Sequence, residues 1–246
     1  MQHHNENKLH GTEGWMARSQ DFIGEFVYGG IDGSVTTFAV VAGSAGAGLD
    51  SSVIIILGFA NLIADGFAMS VGSYLSNKSE KENYEKHKKV EYWEVDNIPE
   101  KEREEIREIY EAKGFEGELL EQVVDVITSD RDRWVDVMMK EELNMTKNEK
   151  SPLAMGAVTF LSFVIVGLVP LLVYVFDYGT DSLNESRDLF LYSIIMTFVA
   201  FIGIGWLKSY VTESGRFKSI IETLFLGAAA AVLSYFVGSF LESMIS

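Results

Sequence analysis

Residues 151–176 read SPLAMGAVTFLSFVIVGLVPLLVYVF, a run of 26 residues without a charge. A helix of about 20 mostly apolar residues is long enough to cross the hydrocarbon of a bilayer. Uncharged runs of 19 residues follow at 189–207 and 223–241. These three segments predict three transmembrane helices in the C-terminal part of the chain.

Two further segments nearer the N-terminus are long enough to span, and each contains one acid. Residues 26–49 are interrupted by Asp32, and residues 51–77 are interrupted by Asp65. The short sequence Gly48-Leu49-Asp50 between them predicts a tight turn. The sequence therefore predicts an all-α membrane protein with five transmembrane helices.

Charge is concentrated between spans two and three. Residues 78–150 contain 22 of the 36 acids and 14 of the 20 bases, and the whole chain has a net charge of −16. This charge excludes nucleic acid as a partner, because both would be negative. The absence of cysteine excludes thiolate metal sites. We predict four segments: a disordered tail at 1–20, spans one and two at 21–77, a helical metal-binding domain at 78–150, and spans three to five at 151–246.

The 78–150 segment has the start and stop signals of helices. Span two continues without glycine or proline to Glu94, and Pro99 marks the start of a helix that Gly114 ends. Two more helices are predicted at 116–127 and 130–143. The tail contains His3, His4 and His10, and we expect it to be disordered rather than a metal site.

Lysine and arginine near the span ends predict the orientation. Arg18 precedes span one, lysines at both ends of the 78–150 segment follow span two and precede span three, and further bases lie around the loop between spans four and five. Residues 177–188, by contrast, contain four acids and one arginine. The N-terminus and the 78–150 domain are therefore predicted to be cytoplasmic, and the C-terminus to lie across the membrane. The host membrane would be the plasma membrane in a prokaryote and the vacuolar membrane in a eukaryote.

Acidic pairs recur in the 78–150 segment with helical spacing. Glu91 and Glu94 are three residues apart, as are Glu102 and Glu105, so each pair lies on one helix face. A third group contains Met138, Met139 and Glu142. The ordinary alternative is a solvated acidic face. Carboxylates beside thioethers suit a divalent transition metal better than calcium or magnesium, which take oxygen ligands.

The acids within the spans predict a cation path. A carboxylate in hydrocarbon is costly and needs a partner or a wet cavity. Asn61, Asp65 and Met69 are spaced by four residues, so they share one face of span two. With Asp32 opposite them, they would line a path of amide, carboxylate and thioether groups. The alternative is a structural hydrogen bond between helices, or an acid that lies at the membrane interface.

At these residues the chain resembles the vacuolar iron transporter family, over residues 22–240. No single motif is specific, and the resemblance rests on their order and spacing. The motifs are Asp32-Gly33 and Phe38-Ala39, Met69, Gly72-Ser73-Tyr74-Leu75, Lys78-Ser79-Glu80, Pro99, the 134–143 stretch with Met138-Met139-Lys140, and Gly167-Leu168-Val169-Pro170-Leu171.

The resemblance implies a homodimer that moves Fe²⁺ out of the cytosol in exchange for protons. Mn²⁺, Zn²⁺ and Co²⁺ are further candidate cargo, and no permanently bound cofactor is expected. The implied path at the dimer interface is lined by Asp32 and Met69. The implied metal ligands of the cytoplasmic domain are Glu91, Glu94, Glu102, Glu105, Met138, Met139 and Glu142. Plant members have a glutamate where this chain has Asn61, so Asp65 is expected to be a further ligand or the proton carrier.

Two other classes of function compete with a metal/proton antiporter that is not an enzyme. A membrane-anchored iron sensor or store would bind metal at the 78–150 domain without transport. A membrane di-iron oxidase would need Glu-x-x-His pairs. His87 is preceded three residues earlier by Tyr84, which disfavours the oxidase.

Overall fold

The computed structural model describes residues 15–180 and 186–245, and within them it is helical with no strand. The all-α prediction is therefore confirmed. The helices are α1 (Trp15–Gly46), α2 (Ser51–Asn97), α3 (Pro99–Ala112), α4 (Gly117–Thr128), α5 (Arg131–Glu141), α6 (Pro152–Gly167), α7 (Val169–Thr180), α8 (Ser186–Val211) and α9 (Arg216–Ile245).

Four of the described helices are long and apolar enough to cross a membrane: α1 from Phe22, α2, α8 from Asp188, and α9. A fifth crossing is present if α6 and α7 are counted as one broken span. Large apolar side chains are exposed along these helices, among them Phe225 and Leu233 of α9. Such surfaces suit a lipid environment rather than water.

The third predicted span is not one continuous helix. It is bent by 52° between α6 and α7, at a break around Leu168. Pro170 explains the break. Its backbone nitrogen carries no hydrogen and so cannot donate a hydrogen bond, and its ring clashes with the carbonyl one turn earlier. The Leu168 carbonyl instead accepts the N–H groups of Leu171 and Leu172 at 3.0 and 3.2 Å.

The chain divides into two compact units. One, here called the apolar unit, contains the described residues up to Tyr74 and from Lys150 onward, and the other, the polar unit, contains Leu75–Glu149. The sequence placed these boundaries at 78 and 150. Helix α2 begins in the apolar unit and ends in the polar unit without a break.

The apolar unit is held together by close backbone contacts between its helices. A Cβ atom added at Gly33 of α1 would lie 2.4 Å from the Phe163 carbonyl oxygen of α6. One added at Gly238 of α9 would lie 2.0 Å from the Gly43 carbonyl oxygen of α1. In a bilayer the hydrophobic effect does not drive helices together, because lipid tails are as apolar as the side chains. Small residues at helix contacts allow close approach and so increase the van der Waals packing energy. Phe163 also belongs to a buried cluster with Leu62 of α2.

The polar unit has a hydrophobic core of its own. The core residues come from the end of α2 and from α3, α4 and α5, and they are Tyr84, Val95, Ile106, Leu120, Val124, Ile127, Trp134, Val135, Met138 and Met139. Pro99 occupies the start of α3, and Gly114 follows its end with a φ of +92°. Asp130 caps α5 by accepting the Arg133 N–H at 2.8 Å.

Two boundaries differ from the sequence predictions. Helix α1 begins at Trp15, so residues 15–20 are helical where a disordered tail was expected. His3, His4 and His10 lie outside the described residues. The helix predicted over 130–143 ends at Glu141.

Candidate metal sites

Five glutamates of the polar unit converge on one place. Glu91 and Glu94 come from α2, Glu102 and Glu105 from α3, and Glu142 directly follows α5. They form two groups that share Glu102, one with Glu91 and Glu94 and the other with Glu105 and Glu142. Within each group, one carboxylate oxygen per residue lies within 4.8 Å of the others. That spacing allows three oxygens to bind one divalent cation.

The turn between α2 and α3 brings the two acidic pairs together. Only Ile98 separates these helices, and the Ile98 N–H donates to the Glu94 carbonyl at 2.8 Å. The Glu102 N–H in turn donates to the Ile98 carbonyl at 3.3 Å. Pro99 favours this arrangement, because it fits the first position of a helix and disfavours helical backbone at the residue before it.

Two of the five glutamates are deeply buried. Glu91 is 3% exposed and Glu102 is 1% exposed, and one oxygen of each is buried without a hydrogen-bond partner among the described residues. Burial, and then the neighbouring carboxylates, raise the pKa of both side chains to about 7. The same causes raise the pKa of Glu142. A solvated acidic face has neither property.

A positive charge lies at the exposed rim of this group. The Lys101 ammonium pairs with Glu105 at 2.8 Å, and the lysine side chain is 66% exposed. An exposed pair of this kind contributes little stability, about 0 to 1 kcal/mol. No described lysine or arginine is buried, so among the described residues the buried carboxylates have no buried cation beside them. A divalent metal ion would supply positive charge there.

Met138 and Met139 are fully buried in the core of the polar unit. The Glu142 N–H donates to the Met138 carbonyl at 3.0 Å, so this glutamate lies one turn beyond the first methionine. Methionine is a common filler of irregular cores. The structure thus gives both side chains a packing role, and their predicted role as ligands stays a prediction.

The four residues predicted for the transmembrane path lie along α1 and α2. Asp32 is half-buried and close enough to Asp65 for their charges to interact. Asp65 is exposed on the surface of α2. Met69 packs at the edge of the buried cluster, and the Asn61 side-chain nitrogen is buried without a partner among the described residues. Their functional roles stay predictions.

A further polar site in the apolar unit was missed by the sequence analysis. The Thr159 hydroxyl of α6 donates to the Glu25 carboxylate of α1 at 3.2 Å, and the Ser73 hydroxyl of α2 donates to it at 3.5 Å. The apolar run of span one begins at Phe26, so Glu25 lies just before it, within the 21–77 segment predicted to contain the first two spans. The available signal was spacing, because Glu25 precedes Asp32 by two helical turns and Ser73 follows Met69 by one.

Comparison with known proteins identifies the family. The model of the VIT family matches residues 23–239, nearly the whole described chain. This chain belongs to the VIT family. It is a family of transporters rather than enzymes, which confirms the predicted resemblance and the prediction that the chain is not an enzyme.

The relatives of this VIT-family chain include proteins from a parasite and from plants. The vacuolar iron transporter of Toxoplasma gondii is 34% identical over 92% of this chain and 76% of that protein. Vacuolar iron transporter 1 of Oryza sativa is 33% identical over 95% of this chain and 88% of that protein. Vacuolar iron transporter 1 of Arabidopsis thaliana is 30% identical, over 96% and 89%.

Proposed function

We propose that this chain is a divalent metal/proton antiporter that moves Fe²⁺ out of the cytosol, with Mn²⁺ as a second substrate. The observation that supports it most is the group of five glutamates, of which Glu91 and Glu102 are buried and each have a carboxylate oxygen without a hydrogen-bond partner among the described residues. The similar proteins named as vacuolar iron transporters support iron as the cargo. Zn²⁺ and Co²⁺ would bind the same donor set.

The polar unit would capture the ion, and the apolar unit would pass it through the membrane. We assign the capture ligands to the five glutamates, with Met138 and Met139 as candidate thioether donors from the core. Asp32 and Met69 would ligate the ion within the membrane. Asp65 would be a further ligand or the proton carrier, and Asn61 would contribute its amide oxygen.

We infer a homodimer from the exposure of Asp65. A carboxylate facing lipid costs about 2.5–3.5 kcal/mol on insertion scales and more by other estimates. In the most apolar part of α2, only 22% of the residues are buried within one protomer. A second copy packed against α1 and α2 would convert this surface into an interface, and a two-fold axis there would bring both copies of Asp32 and Asp65 to one path.

The proposed orientation follows the distribution of lysine and arginine. The N-terminus and the polar unit would be cytosolic, and the C-terminus would lie on the opposite side. In a eukaryotic cell the host membrane would be the vacuolar membrane, and in a prokaryotic cell the plasma membrane.

Transport by purified protein tests the proposal. The full chain is reconstituted in liposomes that contain a metal-sensitive dye, and Fe²⁺ is added outside with and without an inward-acidic pH gradient. We expect dye signal that depends on protein and increases with the gradient, with Fe²⁺ uptake accompanied by proton release. Uptake that is indifferent to the gradient would reject antiport, and no uptake would reject transport.

The alternative is a membrane-anchored iron sensor or store. It is favoured by one observation, that the glutamates lie in a polar unit that is compact by itself. Such a protein would bind Fe²⁺ in the same liposomes without filling them, so the flux measurement separates the two functions.

A further inference from the structure

Glu25 brings three helices of the apolar unit together at a single carboxylate. It lies in the part of α1 that is long and apolar enough to span a membrane, and it is half-buried. One of its oxygens, Oε2, accepts the Thr159 hydroxyl of α6 at 3.2 Å and the Ser73 hydroxyl of α2 at 3.5 Å. Thr159 is fully buried. An ionisable group in a membrane helix is expensive, and the hydrogen-bond partners that the described residues give Glu25 are neutral hydroxyls, so the position calls for a functional explanation.

Glu25 lies in line with the polar residues that α1 and α2 are proposed to contribute to the transmembrane path, here called the polar stripes of these two helices. It precedes Asp32 by seven residues, which is two turns or about 10 Å along the same face of α1. Ser73 follows Met69 by four residues, about 6 Å along the same face of α2. The stripes of α1 and α2 therefore meet again at the Glu25 carboxylate, toward the end of the apolar unit where α2 continues into the polar unit.

A close helix contact holds the threonine against the carboxylate. Gly29 lies one turn after Glu25, and a Cβ atom added there would lie 2.2 Å from the Ser162 hydroxyl and 2.6 Å from the Thr159 carbonyl oxygen. Only a residue without a side chain permits α1 and α6 to approach this closely. The contact places the Thr159 hydroxyl within reach of Glu25.

The Thr159 hydroxyl has two acceptors for one proton. Besides Glu25, the Met155 carbonyl oxygen accepts from it at 2.9 Å. A hydroxyl has a single donor and two lone pairs. If its proton points to Met155, a lone pair of Thr159 is directed to the same space as the carboxylate. Glu25 and Thr159 could then both ligate a cation while every hydroxyl proton keeps an acceptor.

We propose that Glu25, with the hydroxyls of Ser73 and Thr159, is a second cation station of the transmembrane path. It passes a divalent cation between the end of the apolar unit near Ser73 and the Asp32–Met69 level. One charge and two neutral oxygens form a weak, oxygen-only site, which suits a transient station. The assignment rests on the proposed transport function and adds a residue and a stage to it.

Charge removal without loss of shape tests the station in reconstituted protein. Glu25→Gln keeps an oxygen that accepts both hydroxyls, whereas Glu25→Asp keeps the charge. At limiting Fe²⁺ we expect Glu25→Gln to lower the initial uptake about tenfold, as expected for one charge-assisted contact, and Glu25→Asp to restore part of it. Glu222→Gln is the matched control, because Glu222 forms an exposed ion pair with Lys208, and its uptake should equal that of wild type. Uptake by Glu25→Gln at the wild-type rate would overturn the station.

A second measurement is independent of transport. Wild-type protein in liposomes is treated with a hydrophobic carbodiimide, and labelling of Glu25 is measured by peptide mass spectrometry with and without Mn²⁺. We expect Mn²⁺ to reduce labelling at Glu25 several-fold and to leave Glu222 unaffected. Equal labelling with and without Mn²⁺ would reject the station even if iron is transported. Protection of Glu25 in a protein that transports no iron would reject the proposed function and retain the cation site.

Discussion

The acids of the polar unit and those of the apolar unit are arranged in opposite ways. In the polar unit, five carboxylates from three helices converge so that three oxygens at a time lie within 4.8 Å. In the apolar unit, Glu25, Asp32 and Asp65 are distributed along α1 and α2, and Asp65 is exposed. One chain therefore contains a complete candidate capture site and an incomplete candidate path.

Solvent explains the contrast. Near water, several carboxylates can be brought together because protons or a metal ion are available to neutralise them. In hydrocarbon, each acid costs several kcal/mol, so adjacent acids would add their costs. Spaced acids also suit conduction, since an ion must bind weakly enough at each stage to leave it. A capture site and a path thus require different spacing of the same residue type.

The largest expected effect is a loss of transport that leaves metal binding by the polar unit unchanged. Asp32→Ala should abolish Fe²⁺ uptake in liposomes, because it removes the half-buried charge of the path. Binding of Mn²⁺ to the polar unit of the same full-length variant should be unchanged. The measurements are dye-reported flux and equilibrium metal binding. Wild-type flux in Asp32→Ala would reduce Asp32 to a structural role.

The second prediction uses the buried position of Glu102. Glu102→Gln should weaken Mn²⁺ binding about tenfold or more, because Glu102 belongs to both groups of carboxylates. It should also raise the free energy of unfolding of the metal-free protein by about 1 kcal/mol, because a neutral amide replaces a carboxylate whose charge is costly to bury. Glu108→Gln on the same helix is the exposed control, and neither quantity should change there. Unchanged metal binding in Glu102→Gln would make these glutamates an ordinary acidic surface.

A smaller, pH-dependent effect follows from Glu91 and Glu102, whose pKa values are raised to about 7. The folded state binds their protons more tightly than the unfolded state, so metal-free stability should fall as the pH rises from about 4.5 to 7. Metal binding requires the deprotonated form, so Mn²⁺ affinity should rise over pH 6 to 8. Thermal unfolding and Mn²⁺ titration at each pH measure the two trends. Glu102→Gln should flatten both, and identical pH profiles in variant and wild type would contradict the assignment.

The smallest effect concerns selectivity at Met69. Met69→Leu keeps the volume and removes the sulfur, so stability should change by less than about 1.5 kcal/mol. A thioether favours transition metals over Mg²⁺ and Ca²⁺. Fe²⁺ uptake should fall a few-fold and become more sensitive to excess Mg²⁺, as measured by competition in liposomes. Equal uptake and equal rejection of Mg²⁺ in both proteins would make Met69 a packing residue.

Local patterns in the sequence determined much of the architecture. Uncharged runs predicted the apolar helices because a bilayer imposes a length on any crossing segment. Pro99 and Gly114 bounded α3 as expected, because proline fits a helix start and glycine tolerates positive φ. The spacing of Glu91 with Glu94 and of Glu102 with Glu105 correctly indicated shared helix faces, since the helical period is a property of the backbone.

The tertiary structure alone decided which of these residues meet and which are buried. Spacing could not show that Glu91 and Glu102 from different helices are buried together, because their contact depends on how α2 and α3 pack around Ile98. It could not bring Thr159 to Glu25, which is 134 residues earlier in the chain. Pro170 signalled a break, but the 52° angle between α6 and α7 is seen only in the structure. Helix periodicity is local and can be derived from sequence, whereas burial and charge compensation arise only when distant segments pack against each other.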